Sequence, residues 1–153
     1  MATAGAGEEE QLLERFIGEW DTEVVFPAGE PTGSTGRTVF EWMPGRWFVV
    51  QRWEVRDPDF PDGVAILRFD AGRRTYLQHY FDSRGVARLY EMGLDNDTWT
   101  LSRTAPDFSP LDFSQRFTAN FTEGGRTIEG RWEQSDDGST WKLDFNLTYR
   151  NLW

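Results

Sequence analysis

Ten short segments of alternating apolar and polar residues follow one another along most of this 153-residue chain. Such alternation places every second side chain on the same face of a β-strand. Clusters rich in Gly, Pro and Asp separate the segments, as at Pro44-Gly45 and Asp136-Asp137-Gly138, and favour tight turns between neighbouring strands. The pattern therefore predicts a sheet of successive antiparallel strands.

The edges of such a sheet must be closed, covered or charged, and ten strands joined by short turns meet this need most simply as an up-and-down barrel. We therefore predict an all-β fold, a calycin-like antiparallel barrel of about ten strands with one short N-terminal helix. A β-sandwich is the alternative. An α+β cone is disfavoured because no helical period is found after residue 17. The expected strands lie near residues 19–26, on either side of Pro44-Gly45, and near 64–69, 74–82, 86–94, 98–104, 113–121, 128–132 and 141–149.

The helix is predicted near the N-terminus, where Glu8-Glu9-Glu10 places negative charge in a first turn and Gly18 ends the segment. Its apolar residues recur at helical spacing: Leu12, Leu13, Phe16 and Ile17. A helix of about ten residues is too short to be stable alone. We expect it to plug one mouth of the barrel, or else to pack on the outside.

Composition limits the classes of protein to consider. Residues 1–7 are expected to be disordered and residues 8–153 to form one domain. The chain has no Cys and a formal net charge of −10, which excludes disulfides and thiolate metal sites and disfavours nucleic acid and membrane surfaces as partners. No targeting segment or membrane span is recognised, so a cytoplasmic location is expected, as a monomer or a homodimer.

Eight Trp and twelve Phe must be concentrated on one face of each strand, where they build a core or line a cavity. Pairing around Pro44-Gly45 predicts that Trp42, Gln51 and Trp53 face inward. Small residues at Gly130 and Ala119 would leave room inside. The aromatic set expected to line the interior is Phe40, Trp42, Trp47, Trp53, Phe81, Phe117, Trp132, Trp141 and Phe145.

His79 is the candidate for acid or base chemistry, because a histidine alone titrates near neutral pH. A three-residue turn at Ser83 to Gly85 would put His79 on one face with Leu89 and diagonal to Glu91. This face is predicted to point inward. The alternative for His79 is a core histidine whose hydrogen bonds are satisfied within the protein.

Arg103 and Gln115 share strand faces with aromatic residues and are predicted to bind an oxyanion or carbonyl of a ligand inside the barrel. An inward Arg needs a carboxylate, from Glu91 or from a ligand; otherwise Arg103 is solvated outside. Gln51 is either a ligand contact or a core hydrogen-bonding group. The predicted ligand-binding set is Trp42, Gln51, Trp53, His79, Glu91, Arg103, Gln115, Phe117 and Trp132.

Four segments spread over the chain resemble a bacterial family of uncharacterised calycin-like proteins, the DUF1579 group. They are Leu-Leu-Glu-Arg-Phe-Ile-Gly-Glu-Trp (12–20), Phe-Glu-Trp-Met-Pro-Gly (40–45), His-Tyr-Phe-Asp-Ser-Arg-Gly (79–85) and Gly-Arg-Trp-Glu-Gln-Ser-Asp-Asp-Gly (130–138). The resemblance implies a barrel but no reaction. In calycins an Arg from the last strand commonly covers the first-strand Trp, which would here match Arg150 over Trp20 as a structural cation–π contact.

Cofactors are not expected. Nitrobindins bind haem through a histidine near the C-terminus, which this chain lacks, and Gly-Glu-Trp-Asp-Thr-Glu (18–23) lacks the later glycines of their motif. Asp57, Asp59 and Asp62 are spaced like calcium ligands, but Arg68 stands where a calcium loop needs Glu. One His and no Cys make zinc improbable.

Three hypotheses for function remain. The first is a barrel that binds a small apolar or aromatic molecule, to sequester or carry it. The second is an isomerase or cyclase of a bacterial metabolic pathway that uses the same cavity, with His79 moving a proton. The third is an interaction protein with a filled core, which dimerises through Trp153 and its exposed faces and binds no ligand.

Overall fold

The computed structural model describes residues 7–27 and 34–153. Helix α1 (Glu8–Gln11) continues into a 3₁₀ turn at Leu12–Phe16. The ten strands are β1 (Gly18–Val25), β2 (Ser34–Trp42), β3 (Phe48–Val55), β4 (Gly63–Asp70), β5 (Thr75–Asp82), β6 (Ala87–Asp95), β7 (Thr98–Arg103), β8 (Ser114–Thr122), β9 (Thr127–Ser135) and β10 (Lys142–Asn151). The N-terminal segment 1–6 and the loop residues 28–33 lie outside the described residues.

Each strand pairs antiparallel with the next one along the chain, and β10 returns to pair with β1, so that the sheet closes into a barrel. Trp20 is opposite Asn151 in this closing pair. The predicted all-β, calycin-like up-and-down barrel with one short helix is confirmed.

The N-terminal helical segment closes one end of the barrel. Leu13 and Phe16 are fully buried, and the Phe16 ring packs against Trp99 and Phe40 with centroid distances of 4.8 and 5.2 Å. The Trp20 indole N–H donates to the Phe16 carbonyl at 2.9 Å, which ties the plug to the first strand. The predicted plug is confirmed, and this is called the closed end below.

The other end of the barrel is open. On β3, β5, β6 and β9 most inward side chains at the centre of the barrel are buried, whereas four side chains nearer the opposite rim are only partly buried. Trp53, Tyr80, Arg88 and Trp132 are these rim-side residues, each on a different strand. Inward side chains that keep solvent exposure show that water reaches into this half, called the open mouth below.

The inward face of the β5–β6 hairpin is the opposite of the predicted one. The predicted pairing is correct, since His79 is opposite Leu89 and Leu77 is opposite Glu91. However, Gln78 and Tyr80 pair with Leu67 and Ala65, which face the core. The Leu77, His79 and Glu91 face therefore lies outside.

No helix within residues 7–27 and 34–153 combines the length and the apolar character needed to cross a membrane.

Candidate functional site

A run of aromatic rings lines the open mouth. Trp53 lies 5.4 Å from Tyr80, Tyr80 lies 6.0 Å from Tyr90, and Tyr90 lies 5.4 Å from Trp132, measured between ring centroids. These rings come from β3, β5, β6 and β9, so they span more than half of the ring of strands. Such an arrangement offers stacking and edge contacts to a flat apolar molecule.

Polar groups sit among these rings. The Gln115 carbonyl oxygen accepts a hydrogen bond from the Tyr90 hydroxyl at 3.0 Å and another from the Arg88 guanidinium at 3.1 Å. The Arg88 guanidinium also lies over the Phe113 ring, 5.6 Å from its centroid. Gln115 was predicted to face inward, and it does so, holding two neighbouring polar side chains in place.

Tyr80 forms part of the rim. Its hydroxyl donates to the Asp82 carboxylate at 2.6 Å, and Arg84 binds the same carboxylate at 2.7 Å. Burial, followed by the hydrogen bond to Asp82, raises the pKa of Tyr80. Tyr80 therefore stays neutral at physiological pH and presents an aromatic face to the mouth.

Arg103 faces inward, which is one of the two predicted alternatives. The carboxylate that pairs with it belongs neither to Glu91 nor to a ligand. Asp107 binds the Arg103 guanidinium through two contacts of 2.7 and 2.9 Å, and both side chains are almost fully buried. Asp107 also accepts the backbone N–H of Leu89 at 2.8 Å. The hydrogen bond from Arg103 holds the pKa of Asp107 well below its usual range. Arg103 is thus committed to a structural ion pair.

His79 and Glu91 do not reach the interior, so their predicted place in the cavity is wrong. His79 lies on the outer face, where its Nε2 accepts a hydrogen bond from Arg68 at 3.1 Å. Partial burial, and then the Arg68 charge, lower the pKa of His79. Glu91 is exposed on the same outer face.

Two predicted ligand contacts are packed against other protein side chains. Phe117 is buried between Trp99 and Trp132, at 4.9 and 5.0 Å, and a Cβ at Gly130 would lie only 2.5 Å from the Phe117 ring. The room expected beside Gly130 is therefore filled by Phe117. Trp42 lies at the closed end, where its indole N–H donates to Glu14 at 3.3 Å.

Gln51 lies at the buried centre of the barrel and accepts a hydrogen bond from the Gln78 amide at 3.0 Å. Tyr149, which is also buried, neighbours Gln51, and burial raises the pKa of its hydroxyl. This agrees with the core hydrogen-bonding role that was the alternative for Gln51.

Three members of the predicted aromatic lining lie outside. Trp47 is half exposed in the β2–β3 turn, Phe81 stacks on Phe108 at the surface, and Trp141 packs against Arg116 at 4.2 Å. Trp47 and Trp141 lie in or beside turns, where the inside–outside alternation of a strand no longer holds, whereas Phe81 lies on the outer face of the β5–β6 hairpin together with His79.

Two recesses open at the mouth end. The larger has a volume of about 610 Å³ and the smaller about 270 Å³. The larger is lined by Phe26, Pro27, Ser34, Asp57, Asp59, Phe60 and Asp144. Burial raises the pKa of Asp144. Neither recess is lined by a predicted ligand-binding residue.

The β3–β4 loop lies beside the larger recess. Its Phe60 ring stacks on Phe26 at 5.4 Å, and Phe26 in turn lies 5.9 Å from Phe145. The Trp53 indole N–H donates to the Pro61 carbonyl at 3.1 Å. The loop is therefore anchored to the mouth through Phe60 and Pro61.

The predicted contact of Arg150 with Trp20 is wrong. Arg150 is opposite Asp21 on the outer face and lies 3.6 Å from Glu23, whereas Trp20 points inward. The edge contact to Trp20 comes instead from Tyr149, at 6.4 Å. Trp20 is structural, as predicted.

Sequence reasoning missed Tyr80, Arg88 and Tyr90, because the face of the β5–β6 hairpin was reversed. Charge gives no signal here, because the outer face carries Glu91 while the inward face carries Arg88 together with Tyr76, Gln78, Tyr80, Tyr90 and Met92. Glutamine and tyrosine can both be buried when their polar ends find partners.

No cluster of three or more His, Asp or Glu side chains is arranged for a metal ion within the described ranges, the Asp57 to Asp62 loop included.

The fold and the mouth define a closed up-and-down β-barrel that is plugged by a helix at one end and open at the other. No protein-family model matches the chain, and no curated protein matches it either. Among solved structures, the chain is similar to the crystal structure of Rv2717c from M. tuberculosis. The TM-score is 0.65 and the sequence identity 13%, over 96% of this chain and 99% of the other. At this identity the likeness establishes the fold alone.

Proposed function

We propose that this protein binds a small apolar or aromatic molecule in the open mouth of its barrel and sequesters or carries it. The observation that carries the proposal is that Trp53, Tyr80 and Trp132, aromatic rings that face inward at the end without the plug, remain partly exposed. Large apolar surface facing inward yet left in contact with water gains free energy when a ligand covers it.

The lining of the mouth supports a flat ligand. Trp53, Tyr80 and Trp132 present ring faces and edges, and the hydrogen bond from Trp53 to Pro61 keeps its indole in place. Rings that are fixed before binding lose little conformational entropy when a ligand arrives.

The isomerase or cyclase alternative has no observation in its favour, because it depended on His79 inside the barrel. With His79 bonded to Arg68 on the outer face, the proposed proton transfer has no group at the mouth. The interaction-protein alternative rests on exposed rings, of which Trp153 is the most exposed. Dimerisation without ligand binding is therefore one of the outcomes that the following experiment distinguishes.

The experiment is isothermal titration with 2-naphthamide, a flat neutral probe, together with native mass spectrometry of the protein as purified. We expect saturable binding that Trp132→Leu weakens by about tenfold, the order of one lost stacking contact. Trp141→Leu is the matched control, because it removes the same ring from the outer face. Absence of saturable binding, with a dimer in the mass spectrum, would refute the proposal in favour of the interaction protein.

A further inference from the structure

Two arginines face the interior of the barrel among the described strand residues, and they differ in one respect. Arg103 on β7 has its own carboxylate, Asp107. Arg88 on β6 has no Asp or Glu within ion-pair distance among residues 7–27 and 34–153. A partly buried guanidinium without a counter-charge carries a desolvation cost that an anionic ligand would offset.

The Arg88 side chain is held in position before any ligand arrives. The Gln115 carbonyl oxygen accepts a hydrogen bond from the Arg88 guanidinium at 3.1 Å, and the Phe113 ring lies against the guanidinium. Gln115 is itself fixed by the Tyr90 hydroxyl at 3.0 Å. A guanidinium has five N–H donors, so most of them remain free to bind the two oxygens of a carboxylate.

The local charges around Arg88 do not oppose an anion, although the whole chain carries a formal net charge of −10. Two carboxylates near Arg88, Asp82 and Asp107, are each neutralised by an arginine, at 2.7 Å in both cases. A third carboxylate, Asp112 next to Phe113, is exposed to solvent, where salt screens charges over roughly 8 Å. Arg88 itself has no ion-pair partner among the described residues.

Arg88 also stands beside the aromatic lining. It is directly opposite Tyr80 across the β5–β6 pair, and Tyr90 follows it on the same face. A flat ligand stacked among Trp53, Tyr80 and Trp132 would place a terminal group close to the guanidinium.

We infer that Arg88, positioned by Gln115, binds the carboxylate of an aromatic acid in the open mouth. This inference rests on the proposed function and names the class of its ligand, a small flat molecule with one carboxylate. Arg103 is not part of the recognition.

The test compares 2-naphthoate with 2-naphthamide, which have the same ring and differ in charge, by calorimetric titration at neutral pH. We expect the wild-type protein to bind naphthoate at least about tenfold more tightly, the order of one charge-assisted hydrogen bond. Arg88→Met removes this preference, so that the two probes bind with similar affinity. Arg88→Lys keeps part of it, because the charge remains but the planar fork is lost.

Arg131→Met is the matched control, because it removes an equal charge from an exposed side chain on the outer face; the preference should be retained. Circular dichroism checks that each variant is folded. Equal binding of the two probes by the wild-type protein, or a preference that survives Arg88→Met, overturns the inference while the proposed function stands. If neither probe binds, both the inference and the proposed function are refuted.

Discussion

The buried Arg103–Asp107 pair gives a quantitative test of the interior. Arg103→Met would leave the Asp107 carboxylate without its partner, retaining only the N–H donors of Leu89 and Ser109. Breaking a buried pair from one side costs about 3–5 kcal/mol. Asp107 lies in the β7–β8 loop, where partial rehydration is possible, so we expect a loss of about 3 kcal/mol. For a chain of this length that lowers Tm by roughly 6–12 °C.

Removing both charges should cost less than removing one. In Arg103→Met/Asp107→Leu no charge remains buried, and the main loss is the acceptor for the Leu89 N–H. We expect the double variant to lose about 1–2 kcal/mol, the cost of one unpaired backbone donor. Asp107→Leu alone should resemble Arg103→Met, because it leaves the guanidinium charge uncompensated.

Urea unfolding at neutral pH, followed by tryptophan fluorescence and circular dichroism, measures all four proteins. If the double variant lost the sum of the two single losses, the two side chains would be energetically independent. The pair would then not be the structural unit described above. Unchanged stability of Arg103→Met with weakened ligand binding would likewise refute the reasoning and return Arg103 to the binding site.

Three further predictions concern the plug, the helix contact and the first strand. Phe16 is fully buried, so Phe16→Ala should lower the free energy of unfolding in urea by about 3–5 kcal/mol. The Leu12 side chain is 44% exposed, so Leu12→Ala should lower it by less than about 1 kcal/mol. Equal losses for the two variants would contradict the role of Phe16 in the plug. Burial and then the nearby helix carboxylates raise the pKa of Tyr76 to about 12, above its unfolded value near 10. The stability that neutral Tyr76 contributes to the folded protein is therefore complete below about pH 10 and is lost as the pH rises towards 12. Tm should fall over this pH range, and Tyr76→Phe should make the fall smaller. Arg150→Met should change the free energy of unfolding by less than about 0.5 kcal/mol, because Arg150 is exposed on the outer face. Trp20→Phe should lower it by about 1–3 kcal/mol, because the Phe16 carbonyl loses its buried hydrogen-bond donor. A large effect of Arg150→Met would instead support a contact between Arg150 and Trp20.

The sequence allowed the strand positions, the plug and the barrel to be predicted, because period-two alternation and turn residues are local signals. It also allowed Trp53, Gln115 and Trp132 to be placed inside. It did not settle the β5–β6 hairpin, where both faces carry apolar residues and the decision depends on distant partners. Gln78 can face inward because Gln51 is there to receive it, and Gln51 lies on another strand.

Asp107 was missed for a similar reason. It lies in a loop between Pro106 and Pro110, and nothing in the local pattern shows that the loop folds back to bring its carboxylate to Arg103. Side chains of loops reach their partners through the tertiary fold, which a pattern of alternation does not describe. Arg88 was missed for a different reason, because the face of the β5–β6 hairpin was predicted the wrong way round.

The pairing of β1 with β10 has a consequence for how the chain folds. Nine of the ten strand pairs join neighbours in sequence, whereas this last pair brings together strands from opposite ends of the chain. The nine pairs can form as successive hairpins, but the last must meet the entropy cost of closing a loop that contains almost the whole protein. Until it closes, the molecule is an open sheet with two free edges, which can pair with another copy. The plug immediately precedes β1, so its docking and the closing of the ring should occur together, as one late and concentration-sensitive step.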